Sequence, residues 1–296
     1  MGKKRVGDFL LLIVVCCLLA GNATEAKVVK YFGEVYYGDY LEPVYDRGNK
    51  YGCFFSVNPE GKYESEAKIL ESRVGKATVK IPKYLWYNKK RFKVKEVFEM
   101  VDYDSSVSYI FRGFWNRNKI KRLIIPETVE NLKLETSLWK NLKSFNIPAK
   151  VRWLELDYTK AKVTLSPGNK WYRMKDGAIY SRETGNLYVM TGKRKTCRVE
   201  ESAKSITDKA FKNDIYIRKV TIPDSVEDVY ESCFEGCKAL TEVYFEHTEK
   251  MPKLWKNVFL KAKKGITFYV KNEEMKEQLK KNLKRTKARK YKIKYW

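Results

Sequence analysis

Residues 202–245 read SAKSITDKAFKNDIYIRKVTIPDSVEDVYESCFEGCKALTEVYF, and the second half of the stretch repeats the first at an offset of 23 residues. Ala203, Ile206, Ala210, Phe211, Ile217, Val220 and Ile222 return as Val226, Val229, Cys233, Phe234, Leu240, Val243 and Phe245. A fixed period of 20–30 residues is the sign of a solenoid, in which each unit buries its apolar face by stacking on its neighbours.

Each unit has two parts. Val220-Thr221-Ile222 alternates as a strand does, with Val220 and Ile222 on one side. Pro223 has no N–H for a ladder and closes the strand. Residues 224–239 then place Val226, Val229, Cys233, Phe234 and Cys237 at gaps that predict a turn or two of helix over the strand layer. Val243 and Leu240 repeat the core positions of the unit before.

The strand-plus-proline sign recurs as Val79-Lys80-Ile81-Pro82, Leu123-Ile124-Ile125-Pro126 and Phe145-Asn146-Ile147-Pro148. Ile125 to Ile147 is a step of 22, and Ile147 to Leu165 one of 18, too short for a full helix. Gly113-Phe114 and Ile120 stand where Ala210-Phe211 and Ile217 stand in the clean unit. Residues 99–109 have no repeat character.

The segment VTIPDSVEDVYESCFEGCKAL resembles the repeat of the BspA-like leucine-rich repeat family. Three other segments resemble accessory parts of that family: a β-rich N-terminal entry (YGCFF…KVKEV), a β-hairpin insert (NKWYRMKDGAIYSRETGNLYVMTGKRKTCRV) and a closing strand–helix–strand (ITFYV…YKIKYW). The resemblance implies an α/β repeat solenoid, a right-handed leucine-rich-repeat-like stack of short strands with turns or short helices. It divides the chain into a β-rich cap at 27–75, the solenoid at 76–270 with the hairpin insert at about 169–197, and a basic C-terminal cap at 271–296. It also implies a surface or secreted bacterial protein that contacts host proteins, other cells or glycans.

The first 23 residues read as a signal peptide. Lys3, Lys4 and Arg5 precede an apolar run at 9–19, and Ala23 or Ala26 offers a cleavage point. The run is too short to span the ~30 Å hydrocarbon core of a bilayer as a permanent helix. Asn22 stands where a lipoprotein would need its acylated cysteine. The expected location is outside the cytoplasm: secreted, periplasmic or at the cell surface, with no stable transmembrane segment after processing.

Four cysteines lie beyond that segment: Cys53, Cys197, Cys233 and Cys237. Export permits disulfides, and Cys233 and Cys237 would be close on a helical turn. Their places in the repeat favour packing as small apolar side chains. A lone C-x3-C is not zinc spacing.

The formal charge is +25, and residues 250–296 carry 17 Lys/Arg against Glu273, Glu274 and Glu277. Such a basic end attracts polyanions, and it also suits a soluble terminal cap. Lys276, Lys280, Lys284 and Lys287 fall on one helical stripe, with Met275, Leu279 and Leu283 on the apolar stripe that docks to the solenoid end.

Catalytic motifs are missing. The one histidine, His247, follows Phe245 and reads as a surface turn residue. There is no G-x-S-x-G elbow, phosphate loop or G-x-G-x-x-G turn, and no cofactor is implied. Aromatic residues are plentiful, with 21 Tyr and 7 Trp, and those in polar surroundings, such as Trp171-Tyr172, suit either interfaces or cap packing. The expected function is a binding module for a protein or glycan, or alternatively an electrostatic polyanion binder.

Overall fold

The structure, a computed structural model, describes residues 41–45, 53–58, 66–72, 77–87, 90–98 and 117–296. The signal segment, residues 99–109 and Gly113-Phe114 lie outside the described residues, as does the expected cap apart from its strands.

The chain is a solenoid in which most turns give one strand to each of two layers, and the strands of successive turns pair parallel. In the first block, Thr78–Lys80, Arg122–Ile124, Ser144–Ile147 and Lys162–Leu165 form one parallel layer. Lys90–Phe98, Asn131–Leu134 and Trp153–Leu156 form the other. That second layer begins with the strands Leu41–Tyr45, Cys53–Asn58 and Glu66–Ser72, and Tyr84–Tyr87 pairs antiparallel to Lys90–Phe98. In the second block the five-stranded layer is Thr196–Arg198, Lys219–Ile222, Glu242–Phe245, Thr267–Val270 and Lys292–Tyr295, all parallel. Val220 lies opposite Val243 and Val243 opposite Phe268, so the step lengthens from 23 residues to 25.

The alternation read in the sequence is realised. Val220, Ile222, Val243 and Phe245 are wholly buried, and so are Phe211, Phe234 and Leu240. Phe211, Phe234 and Phe259 form an internal ladder with ring centroids 4.9 and 5.5 Å apart. Contacts of this kind add about 0.5–1.5 kcal/mol each to the burial itself.

The helical turn expected at 224–239 is absent. That stretch holds a two-residue strand, Asp228–Val229, and tight corners with left-handed residues. Lys209, Ser232 and Asn257 have φ of 58°, 57° and 59° at equivalent places; Asn213, Gly236 and Lys261 follow at 63°, 71° and 55°. A helix would send its N–H groups to its own carbonyls. Here Lys209, Phe211 and Asn213 donate to the carbonyls of Glu231, Cys233 and Glu235 in the next turn, and Phe234 and Gly236 to Val258 and Leu260. Gly236 also needs its lack of Cβ, because one would sit 2.3 Å from Asn213 Oδ1.

Between the blocks the chain makes the antiparallel strands Tyr172–Lys175, Ala178–Ser181 and Leu187–Met190. Asp176 and Gly177, both left-handed, form the first turn, which matches the twist of a two-residue hairpin. Ala178–Ser181 is buried along its whole length. Leu187–Met190 hands on to the parallel strands Ser205–Ile206, Asp228–Val229 and Lys253–Leu254.

The closing helix, Glu273–Leu283, buries Met275, Leu279 and Leu283. Asn272 caps it by accepting from the Met275 N–H at 2.9 Å. Among the described residues no helix is long and apolar enough to cross a membrane.

Candidate binding surfaces

The outward side of the five-stranded layer is set by strand alternation. With Val220, Val243 and Phe268 facing in, Lys219, Thr221, Glu242, Tyr244, Thr267 and Tyr269 face out. The register places Thr221, Tyr244, Tyr269 and Lys294 in one row across four strands. Tyr244 and Tyr269 are stacked at 4.2 Å with planes 6° apart, and Trp296 meets Tyr244 edge-on at 5.0 Å. Trp296 is held by its indole N–H, which donates to the Phe245 carbonyl at 3.3 Å.

Two ammonium groups lie against these rings, Lys219 at 4.0 Å from Tyr244 and Lys271 at 3.6 Å from Trp296. Desolvation, then the Glu242 carboxylate, push the Tyr244 phenol up to about 12, so it stays neutral. The surface is aromatic and cationic.

The six-stranded layer carries a smaller counterpart. Tyr230 and Trp255 stack at 5.3 Å, Lys253 lies 3.8 Å from the Trp255 ring, and the Trp255 indole donates to Asp228 at 2.8 Å. Sequence reading did not single out these aromatics. Their signal is the alternation itself, since each outward tyrosine of the larger surface stands between two buried apolar residues, and the lengthened 25-residue step hid the pairing of Tyr244 with Tyr269.

The basic stripe is rearranged. Lys276 pairs with Glu273 at 3.0 Å and donates to the Tyr295 hydroxyl, while Lys280 pairs with Glu277 at 2.5 Å. Lys284 caps the helix, which ends at Leu283. Lys287 therefore leaves the stripe, and its φ of 64° places it in a corner. The helix stops because the chain must return as a further stacked turn: Asn257 and Phe259 donate to the carbonyls of Arg285 and Thr286.

His247 is buried, not a surface residue. Its loop folds back on the preceding turn, where Nε2 sits 2.8 Å from the Val226 carbonyl. A carbonyl only accepts, so Nε2 carries the proton. Burial lowers the imidazole pKa. Cys233 and Cys237 are buried, free thiols, and Cys237 Sγ donates to the Phe211 carbonyl at 3.0 Å. Burial holds both thiols well above their ordinary pKa, which leaves them unreactive. Among the described residues no group of His, Cys, Asp or Glu is placed to hold a metal ion.

The family model described as BspA type Leucine rich repeat region matches residues 75–158 and 186–293 in 6 copies. No curated protein matches. Among solved structures, the chain is similar to a leucine rich cell surface protein from Faecalibacterium prausnitzii, with 12% identity over 92% of this chain and 96% of that one and a TM-score of 0.28. A leucine-rich repeat protein from Bacteroides ovatus gives 13%, 89%, 67% and 0.31. The pneumococcal vaccine antigen PcpA gives 11%, 83%, 97% and 0.26. Superpositions this loose carry no weight for function; the repeat itself carries the family match.

Proposed function

The chain belongs to the BspA-type leucine-rich repeat family, and from that premise we propose that it is an exported, non-enzymatic adhesion module that binds a macromolecular partner through the outward side of its five-stranded layer. The observation that carries this reading is the Tyr244–Tyr269 stack, flanked by Trp296 and two lysines. Tyr and Trp give large contact areas at low entropic cost and dominate protein interfaces. Rings buried inside the solenoid would serve stability alone, whereas these lie on its outer side.

The test is an array of extracellular proteins and glycans probed with residues 27–296 at two salt concentrations. Protein features that persist at high salt and vanish on Tyr244→Ser with Tyr269→Ser support the reading. Retention of every feature by that double variant would sink it. Export is checked separately by N-terminal sequencing of the secreted chain, which should begin at Thr24 or Lys27; recovery of intact Met1 would overturn the cleaved signal.

The excess of Lys and Arg in residues 250–296 supports a second reading, a polyanion site at the basic end. Lys284 and Lys287 are its best candidates, because Lys276 and Lys280 are engaged by neighbouring glutamates. A steep loss of binding with salt distinguishes this reading from the first.

A further inference from the structure

A separate recess of about 370 Å³ lies on the hairpin insert, lined by Arg152, Lys170, Trp171, Arg182, Glu183 and Tyr188 among others. Its frame is rigid. The buried Asn169 side chain donates to the Pro148 and Val151 carbonyls at 2.9 and 3.0 Å, and its oxygen accepts from the Trp171 and Tyr172 N–H groups at 3.0 and 2.8 Å. Every hydrogen-bonding position of that amide is occupied, which fixes the backbone under Trp171.

Arg182 is fixed from the same framework. Its Nε donates to the Asn169 and Tyr172 carbonyls at 3.2 and 2.9 Å, which leaves the two terminal nitrogens for another acceptor. Arg152 lies 3.6 Å from Glu130. Lys170 and Arg182 have no ion pair among the described residues, and Glu183 is the recess's one carboxylate. Trp171 is 39% exposed at the rim, and Tyr188 is braced edge-on against Tyr172 at 5.2 Å.

We propose that this recess binds a carboxylate-bearing sugar unit of an acidic glycan. A tethered guanidinium presents a planar fork that matches a carboxylate, and Lys170 and Arg152 add positive charge. An exposed indole beside those cations offers an apolar face to the C–H side of a sugar ring. The volume is at the small end of ligand sites, of the order that one or two sugar rings fill. Inorganic anions would use the cations and leave Trp171 idle. The recess lies between the hairpin insert and Arg152 of the first block, away from the five-stranded layer, so the assignment is independent of the adhesion reading.

The experiment is calorimetric titration of the full chain with trigalacturonate, its methyl ester and triglutamate. Trigalacturonate should bind with a Kd of about 1 mM or tighter. Methyl esterification, Arg182→Gln and Trp171→Ala should each weaken binding roughly tenfold. Lys170 is exposed and makes no hydrogen bond or ion pair among the described residues, so Lys170→Gln should weaken binding several-fold while the melting curve stays in place. The proposal fails if the ester or triglutamate binds as well as the acid sugar. It also fails if Lys170→Gln and Trp171→Ala both leave the affinity unchanged, or if trigalacturonate does not bind at about 10 mM.

Discussion

Ile179 and Tyr180 are neighbours on one strand and face opposite cores. Ile179 packs with the residues of the first block, Val79 to Val163, and Tyr180 with those of the second, Val199 to Leu283; both are essentially inaccessible to solvent. The hairpin insert is thus a wall shared by two stacks, since a solenoid end left open would expose its apolar layer. Arg173 on the same hairpin forms a two-pronged ion pair with Glu200 in the following turn, and Lys175 adds a third contact at 3.2 Å.

Replacing Phe234 by Ala should lower stability by about 3–5 kcal/mol, the cost of truncating a buried aromatic. Phe211→Ala should behave alike, because the two rings occupy equivalent places on one ladder. Chemical denaturation checks both; unchanged midpoints would mean that the rings do not support the core.

Burial pushes the Asp157 carboxyl up to about 6, against hydrogen bonds from Ser137 and Thr136 that favour the charged form. A folded pKa above the unfolded 3.8 means that the folded state holds the proton more tightly. The associated stability is therefore complete below about pH 4 and lost as pH rises through 6, roughly 3 kcal/mol in all. Asp157→Asn should flatten this part of the pH–stability curve. A slope between pH 4 and 6.5 identical to the parent's would show that Asp157 does not set it.

Glu200 has the opposite sign. Hydrogen bonding to Arg173 comes first among the causes that hold its carboxyl down to about 2. Stability from this site is present above pH 4.5 and lost as pH falls toward 2. Glu200→Gln should lower the melting temperature at pH 7 and narrow the gap between pH 7 and pH 2.5. An unaltered gap would mean that the pair contributes nothing to acid sensitivity.

If the basic end holds a polyanion, changing Lys280, Lys284 and Lys287 to Glu should bring the chain off a heparin column at distinctly lower salt. Elution at the parent's salt would leave those lysines as a solubilising cap.

The strands, their inward residues and the equivalence of Phe211 with Phe234 were legible because burial on one side of a strand imposes a period of two and stacking imposes a period of 23. The corners were not. Apolar spacing over 224–239 fits a helix equally well, and the difference lies in backbone donors that leave the turn, which no side chain announces. His247 misled for a related reason: a polar residue after a strand reads as exposed until the loop's return path is known. The candidate surface was half legible, since alternation marks Tyr244 as outward while the stack with Tyr269 depends on a step of a different length.

In the second block two sets of backbone donors point in opposite directions along the stack. Strand-side N–H groups at Arg218, Thr241 and Thr267 reach back to Lys195, Arg218 and Thr241, whereas corner N–H groups at Lys209, Phe211 and Asn213 reach forward. Amide exchange at those three corner positions therefore reports whether the next turn is in place, and exchange at those three strand-entry positions whether the previous one is. Opening of the C-terminal turn should release the corner amides of Asn257 and Phe259 first and those of Phe234 and Gly236 next, a stepwise unzipping whose order is written in the backbone and can be read one proton at a time.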